Sequence, residues 1–330
     1  MYANLLFIID PLETLHLETD TTFAIMAEAH KRGHHVWTAT SDELYMDDPT
    51  SRRGSNGLAS PRLGLISAQV PCGHVTQIFI KNRSWKNGNQ KDAPLESFPV
   101  IMMRKDPPFS GDYILATSLL SLVDPQKTFI INNPAALRNF NEKLGIFQFP
   151  QFIPETIVSK KNADFNRFLK KHKKIVLKPL EGFAGHEIII LSANDKNKNS
   201  LFEMLTKHEK RYLMAQKYLP AVEKGDKRIL ILDGEILGQQ NRIAAKDDHR
   251  SNISAGGSSH RTQLSAHERE VAQTVGQALK DQGIYFAGLD LIGGCITEIN
   301  VTSPTGLVKI NEHEGAHLEK KVVDFLEKYL

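Results

Sequence analysis

Three oxygen-bearing side chains, Asp290, Glu298 and Asn300, stand in a stretch where apolar and polar residues alternate. Leu289, Leu291, Ile299 and Val301 recur at every second position within each half, the period of a half-buried β-strand. Gly288 to Pro304 therefore reads as a hairpin, and its register decides its chemistry. With Gly293-Gly294 alone as the turn, Asp290 faces Thr297, and Glu298 and Asn300 point to the other side. With a three-residue turn, Gly293-Gly294-Cys295, Ile292 pairs with Ile296 and Asp290 with Glu298. That register puts all three oxygen side chains on one face, and it is the one expected here. Two carboxylates and an amide oxygen on a rigid ribbon suit Mg²⁺, which takes one or two carboxylates together with phosphates and water. Ile292 and Ile296 on the same face would floor a nucleotide base. The plainer alternative is an edge hairpin whose acids merely solvate it.

Such a site needs cations for phosphates. Lys173 to Lys178 is a strand pattern that ends in the small-residue stretch Gly182-Phe-Ala-Gly185, where backbone N–H groups can approach a phosphate closely. A β-turn beside a surface lysine is the competing reading. The spacing is not that of a P-loop, and no dinucleotide fingerprint follows the first strand. Arg228 and Arg242 lie near opposite ends of a hairpin turning at Asp233-Gly234, placed to neutralise a transferring phosphoryl group. Arg104-Lys105-Asp106-Pro-Pro-Phe109 follows the buried strand Val100 to Met103, at the strand end where open α/β sheets bind ligands. Arg104 and Lys105 clamp a substrate carboxylate on one reading. On the other, a salt bridge to Asp106 caps a loop. The polar segment Ala244 to Ser259, with Arg250, Asn252 and Ala255-Gly256-Gly257, is either a lid that excludes water or a connector.

The elements that must position these residues alternate. Asn4 to Ile9 and Val36 to Ala39 are strands, and between them a helix opens at Thr19 to Thr22 and stops at Gly33. This spacing predicts a parallel α/β unit. Asp47 to Pro61 and Asn82 to Pro94 read as exposed loops, with strands at Leu63 to Val70 and Val75 to Ile80 between them. Tyr113 to Leu122 is helical, and Thr128 to Asn133 is a short strand. Pro134 opens a helix expected to carry Asn141-Glu142-Lys143. Tyr212 to Leu219 is a strand, Ala266 to Lys280 an amphipathic helix and Leu318 to Leu330 a closing helix. His313 and His317 read as surface residues. The main boundary falls between about 124 and 150.

With 330 residues and 41% hydrophobic content, the chain can bury a core and divide into two or three domains. Its 41 basic and 38 acidic residues argue against nucleic-acid binding by bulk charge. A small anionic substrate fits better. The run Leu5 to Ile9 is too short for a signal peptide or a membrane span. Cys72 and Cys295 lack metal-ligand spacing, so free thiols in a reducing cytoplasm are expected.

Lys143, Lys178 with its glycines, Arg228 and the hairpin acids together resemble the ATP-grasp superfamily. The resemblance is to bacterial glutathione synthetases over nearly the whole length. It runs through Met103-Arg-Lys-Asp-Pro-Pro-Phe109, Asn141-Glu-Lys143, Leu177-Lys-Pro-Leu180, Gly225-Asp-Lys-Arg228, Ala255-Gly-Gly257, Gly288-Leu-Asp290 and Thr297-Glu-Ile-Asn-Val-Thr-Ser-Pro-Thr305. It implies an α/β ATP-grasp fold behind an N-terminal pre-ATP-grasp domain, divided as 1–123 and 124–330, with a lid subdomain at about 150–221 and a mobile loop at about 243–258. ATP contacts are implied for Lys143, Lys178, Gly182, Gly185, Gln216, Lys217, Tyr218, Leu219 and Asp226, and a catalytic role for Arg228, Arg242 and Arg250. Mg²⁺ or Mn²⁺ is implied on Asp290, Glu298 and Asn300. Substrate contacts fall to Arg104, Lys105, Asn252, Gly256, Gly257, Ser303 and Thr305. The implied reaction phosphorylates the cysteine carboxylate of γ-glutamylcysteine with ATP, after which glycine displaces phosphate. The resemblance also implies a cytoplasmic homo-oligomer acting on small molecules, without nucleic acid or membrane. The chain departs from the family at Ala244-Ala-Lys-Asp-Asp-His249 and Phe183-Ala184, and Ser258 stands where an arginine is common. These departures leave open a different acyl donor or amine, or an inactive ATP-binding homologue.

Overall fold

The computed structural model describes residues 2–47, 70–81, 83–182, 187–245 and 256–330. The N-terminal part is a seven-stranded sheet. Its elements are β1 (Asn4–Ile8), α1 (Thr21–Lys31), β2 (His35–Ala39), β3 (Leu44–Asp47), β4 (Val70–Lys81), β5 (Ser84–Pro94), β6 (Val100–Met103), α2 (Gly111–Leu120) and β7 (Phe129–Ile131). The path runs β3-β4-β2-β1-β6-β7, with β5 also paired to β4. β2, β1, β6 and β7 are parallel neighbours. Their interior residues are apolar at nearly every position, as strands covered on both faces require. Asp20 caps α1 by accepting from the Phe23 amide at 2.6 Å.

One expectation fails in this sheet. The 84–94 stretch is not a loop but β5, which pairs antiparallel with β4 from Cys72↔Pro94 to Lys81↔Ser84. Its polarity reflects an exposed ribbon, where neither face needs apolar residues. β7 pairs with β6 through Ile131, so the first sheet runs into the 124–150 stretch where the main boundary is expected. The strand expected at Leu63 to Val70 lies outside the described residues up to 69.

After α3 (Pro134–Asn139) the chain builds a four-stranded antiparallel sheet, ordered β10-β9-β11-β8. Its elements are β8 (Thr156–Ser159), α4 (Asn162–His172), β9 (Lys174–Pro179), β10 (Ile189–Ser192), α5 (Lys198–Leu205) and β11 (Leu213–Lys217). A five-stranded antiparallel sheet follows, ordered β14-β13-β12-β15-β16. It comprises β12 (Asp226–Leu232), β13 (Glu235–Ile243), β14 (Ser258–His260), α6 (Ala266–Asp281), β15 (Phe286–Ile292) and β16 (Cys295–Asn300), followed by α7 (Leu307–Glu314) and α8 (Leu318–Glu327). Asn132 clasps this sheet to the first. Its side-chain NH₂ donates to Phe286 O and Val301 O at 2.8 and 2.9 Å, and its oxygen accepts from the Tyr285 and Phe286 amides at 2.8 Å each. Among the described residues no helix is long and apolar enough to cross a membrane.

Candidate active site

The hairpin at the C-terminal side of the five-stranded sheet has Asp290 opposite Glu298 and Asn300 opposite Gly288. The expected register is present, but the expected turn is not. Gly293 and Gly294 alone make the turn, at φ +58° and +79°, and Ile292 pairs with Cys295 rather than Ile296. An extra residue in β16, Thr297, restores the register as a β-bulge. The bulge turns Ile296 into the core, fully buried opposite Leu291, so Ile296 is not the floor of a base site. It also frees the Thr297 carbonyl from the ladder, and Lys178 Nζ donates to that oxygen at 3.3 Å.

Lys178 is the penultimate residue of β9, buried, and Met214 of β11 lies beside it. Burial pushes its ammonium pKa down, and Glu298 offsets only part of this. Lys143 reaches the same strand from another direction. It stands in the turn after α3, not on the helix expected there, because that helix stops at Asn139. Its Nζ lies 2.9 Å from Glu298 Oε1 and donates to Gly182 O. Asn141, Lys143 and Leu180 to Gly182 thereby form one wall of the cleft. Gly185 lies outside the described residues.

Arg228 on β12 sits opposite Asp290, and its Nε and Nη2 donate to the two carboxylate oxygens at 2.5 and 3.0 Å. Arg242 on β13 sits opposite Asp226, with Nη2 at 2.5 Å from Asp226 Oδ2 and 3.0 Å from Asp290 Oδ1. All four residues are buried. Burial alone would raise the Asp290 pKa, but the charges of Arg228 and Arg242 outweigh it and hold the carboxyl below its usual range. Asn300 donates its Nδ2 to Asp290 Oδ2 at 3.2 Å and to Gly288 O at 3.3 Å. Its oxygen is thus the side-chain atom left to meet a cation.

The N-terminal sheet supplies Arg104, at the end of β6. The alternative reading, a salt bridge to Asp106, is not found among the described residues. Arg104 Nε donates to Thr22 Oγ1 at 2.9 Å and Nη2 to Pro304 O at 3.0 Å, so this arginine joins α1 to the 303–305 segment. Lys105 donates to Asp10 Oδ1 at 2.8 Å. Asp106 is exposed, and its backbone amide donates to Asp10 Oδ2 at 2.8 Å. Arg228 Nη1 donates to Thr305 O at 3.3 Å, which closes the ring between the two sheets.

The remaining predicted residues divide in two. Gln216, buried on β11, donates to Thr156 Oγ1 at 3.3 Å. The Lys217 amide donates to Glu155 O at 2.9 Å and the Tyr218 amide to Lys174 O at 3.2 Å, so both are committed within the sheet. Leu219 leads into a short turn at 220–224. Gly256 has φ +90°, and Gly257 precedes β14. Arg250 and Asn252 lie outside the described residues.

Two contacts were not anticipated. Glu142 is half-buried beside Lys143, and its Oε1 accepts from Val301 N, Thr302 N and Thr302 Oγ1. His313, read as a surface residue, has Nε2 at 2.8 Å from Ser259 Oγ, which links α7 to β14. A carboxylate directly preceding a predicted phosphate lysine was the only available sign of the first. Nothing in the sequence signalled the second.

Two antiparallel sheets gripping a cleft beside a mixed N-terminal sheet, parallel only through β2, β1, β6 and β7, define the ATP-grasp fold. The architecture is shared with the solved structures of D-cycloserine synthetase DcsG (TM-score 0.64, 12% identity, 98% of this chain and 99% of that one) and of the macrocyclase MdnC from Microcystis aeruginosa (TM-score 0.63, 14% identity, 98% and 99%). Residues 3–138 match the prokaryotic glutathione synthetase N-terminal domain, and residues 142–315 match the ATP-grasp domain of the same enzymes. The chain is 40% identical over 326 residues to the glutathione synthetase of Synechocystis sp. and 38% identical over 328 residues to that of Bradyrhizobium diazoefficiens. The alignments span 98% and 99% of this chain and 99% of each relative. The chain belongs to the prokaryotic glutathione synthetase family, and it is an ATP-dependent ligase.

Proposed function

We propose that this chain joins γ-glutamylcysteine to glycine through an acyl phosphate. The observation that carries the reading is the convergence of Lys178 and Lys143, from separate elements, on neighbouring residues of β16, Thr297 and Glu298. Two ammonium groups at one edge of an acidic, oxygen-lined face suit a polyphosphate. A carboxylate oxygen of the acyl donor attacks the γ-phosphorus, the bond to ADP breaks, and the glycine amine then displaces phosphate from the acyl carbon. No side chain need act as nucleophile, so the protein works by position and charge. Lys143 and Lys178 hold the phosphates, with Gly182 lining the wall. The Leu219 end of the 216–219 stretch reads the base, since the preceding two amides are committed elsewhere. Arg228 and Arg242 stabilise charge on the transferring group, with Asp226 and Asp290 fixing their orientation.

The donor set fits a divalent cation of the Mg²⁺ class. Glu298 and Asn300 lie half-buried on one face, and Asp290, behind them, is bound by two arginines. One or two protein oxygens completed by phosphate and water is the arrangement such a cation prefers. Bound there, it would neutralise phosphate charge. Arg104, Lys105, Ser303 and Thr305 border the acyl-donor side, with Gly256 and Gly257 leading into β14.

A second reading, a ligase with another donor or amine, is favoured by Ser258, which supplies a hydroxyl where the family commonly has a guanidinium. Release of ADP with ATP, Mg²⁺ and γ-glutamylcysteine, with and without glycine and with mass detection of the product, tests both. Glycine-dependent release with glutathione formed is expected. Release that ignores glycine and responds to another amine would overturn the first reading in favour of the second.

A further inference from the structure

Asn141, Glu142 and Lys143 touch most other parts of the site. Asn141 Nδ2 donates to Leu180 O at 3.3 Å, and its Oδ1 accepts from the Lys143 and Leu144 amides at 3.0 Å each. The main-chain oxygen of Glu142 accepts from Ile299 N at 3.0 Å. Its Oε1 accepts from Val301 N at 2.8 Å, Thr302 N at 3.1 Å and Thr302 Oγ1 at 3.0 Å. The same short turn is therefore fastened to β16 on both sides of Asn300, while Lys143 meets Glu298. Just beyond, Pro304 is tied to the N-terminal part through Arg104, whose Nη2 donates to its carbonyl oxygen at 3.0 Å. None of the roles above uses Glu142.

We propose that Glu142 is a positioning residue of the ligase reaction. By its reach to Val301 and Thr302 it sets Lys143 against the oxygen-bearing face of β16 and, through the same contact, places the 303–305 segment. Nucleotide and acyl donor then depend on one side chain that touches neither. This rests on the reading of Lys143 and of 303–305 given above. Reach matters more than charge here, because a carbonyl oxygen at the same distance serves the two amides. A carboxylate one methylene shorter falls away from them.

The variants Glu142→Gln and Glu142→Asp separate reach from charge. Binding of ADP with Mn²⁺, followed by calorimetry, is combined with KM for ATP and for γ-glutamylcysteine. Glu142→Asp is expected to weaken ADP–Mn²⁺ binding roughly tenfold and to raise both KM values together at unchanged Tm. Glu142→Gln is expected to lose about threefold at most. A Glu142→Asp protein within threefold of the parent, or a Glu142→Gln protein worse than Glu142→Asp, would overturn the proposal. If Glu142→Asp melts below the assay temperature, Thr302→Val takes its place, with a joint rise of about threefold in both KM values expected. No rise would overturn the proposal. Lys143→Ala should weaken ADP binding alone. If it does and Glu142→Asp does not, only this inference fails; if neither does, the reading of the whole site fails.

Discussion

The two cationic walls of the cleft are built on opposite principles. On the five-stranded sheet, Arg228 and Arg242 face Asp226 and Asp290, and the charges cancel within a buried, hydrogen-bonded square. On the other wall, Lys178 is just as buried, yet among the described residues it makes no salt bridge, and its hydrogen bond to Thr297 O is long at 3.3 Å. Lys143 meets one half-exposed carboxylate, Glu298. A balanced buried cluster shapes the protein, and losing one member leaves uncompensated charge. A buried lysine without a carboxylate partner destabilises the protein until an anion arrives. The contrast teaches that burial of a cation does not by itself tell stability from binding; its partners do.

The sharpest way to break the comparison is Asp290→Ala. It leaves Arg228 without a carboxylate and Arg242 with Asp226 alone, and should cost about 3–5 kcal/mol in urea unfolding, with loss of ligase activity. A cost below about 1 kcal/mol would mean the square is not a stability element. On the lysine wall the signs should reverse. Lys178→Met is expected to weaken ADP binding about a hundredfold by calorimetry, roughly 3 kcal/mol, while unfolding stability stays level or rises. Acid resolves the arginine wall further. Because the folded pKa of Asp290 is depressed, its contribution is whole above the ordinary value of 3.8 and is lost as pH falls below it toward the depressed value. The stability gap between the parent and Asp290→Asn should therefore narrow between pH 5 and pH 3, as followed by urea unfolding at each pH. The smallest effect belongs to Lys105→Ala. Its half-exposed pair with Asp10 is a surface-type ion pair, so stability should change by less than about 1 kcal/mol and KM for the acyl donor by about threefold at most.

Much of this contrast was legible in the sequence, for definable reasons. Alternation placed Asp290 opposite Glu298, because a strand with one buried face admits few registers. The bulge at Thr297 was not legible: a two-residue turn plus one extra strand residue gives the same acid pairing as a three-residue turn. Its consequence, a carbonyl turned to Lys178, was invisible with it. Val100 to Met103 was readable as a strand delivering Arg104, yet Arg104 bonds Pro304, 200 positions away, and no local pattern encodes that. β5 was missed because a solvent-facing ribbon carries no apolar period. Lys143 was found through its motif but assigned to a helix that ends four residues earlier, where helix-start signals give no stop.

The apolar interior divides unevenly among the three sheets. Two of its clusters mix residues of the N-terminal and five-stranded sheets, such as Leu6 with Leu289 and Phe7 with Phe286. The third, built on Phe165, Leu169, Phe202 and Leu213, is drawn from the four-stranded sheet and its two helices alone. The large core joins both large sheets and reaches the four-stranded sheet through Met214 of β11, with Val158 packed against it. The smaller unit, filled otherwise from within, is therefore expected to open with its own free energy, seen as lower hydrogen-exchange protection in β8 to β11 than in the two large sheets.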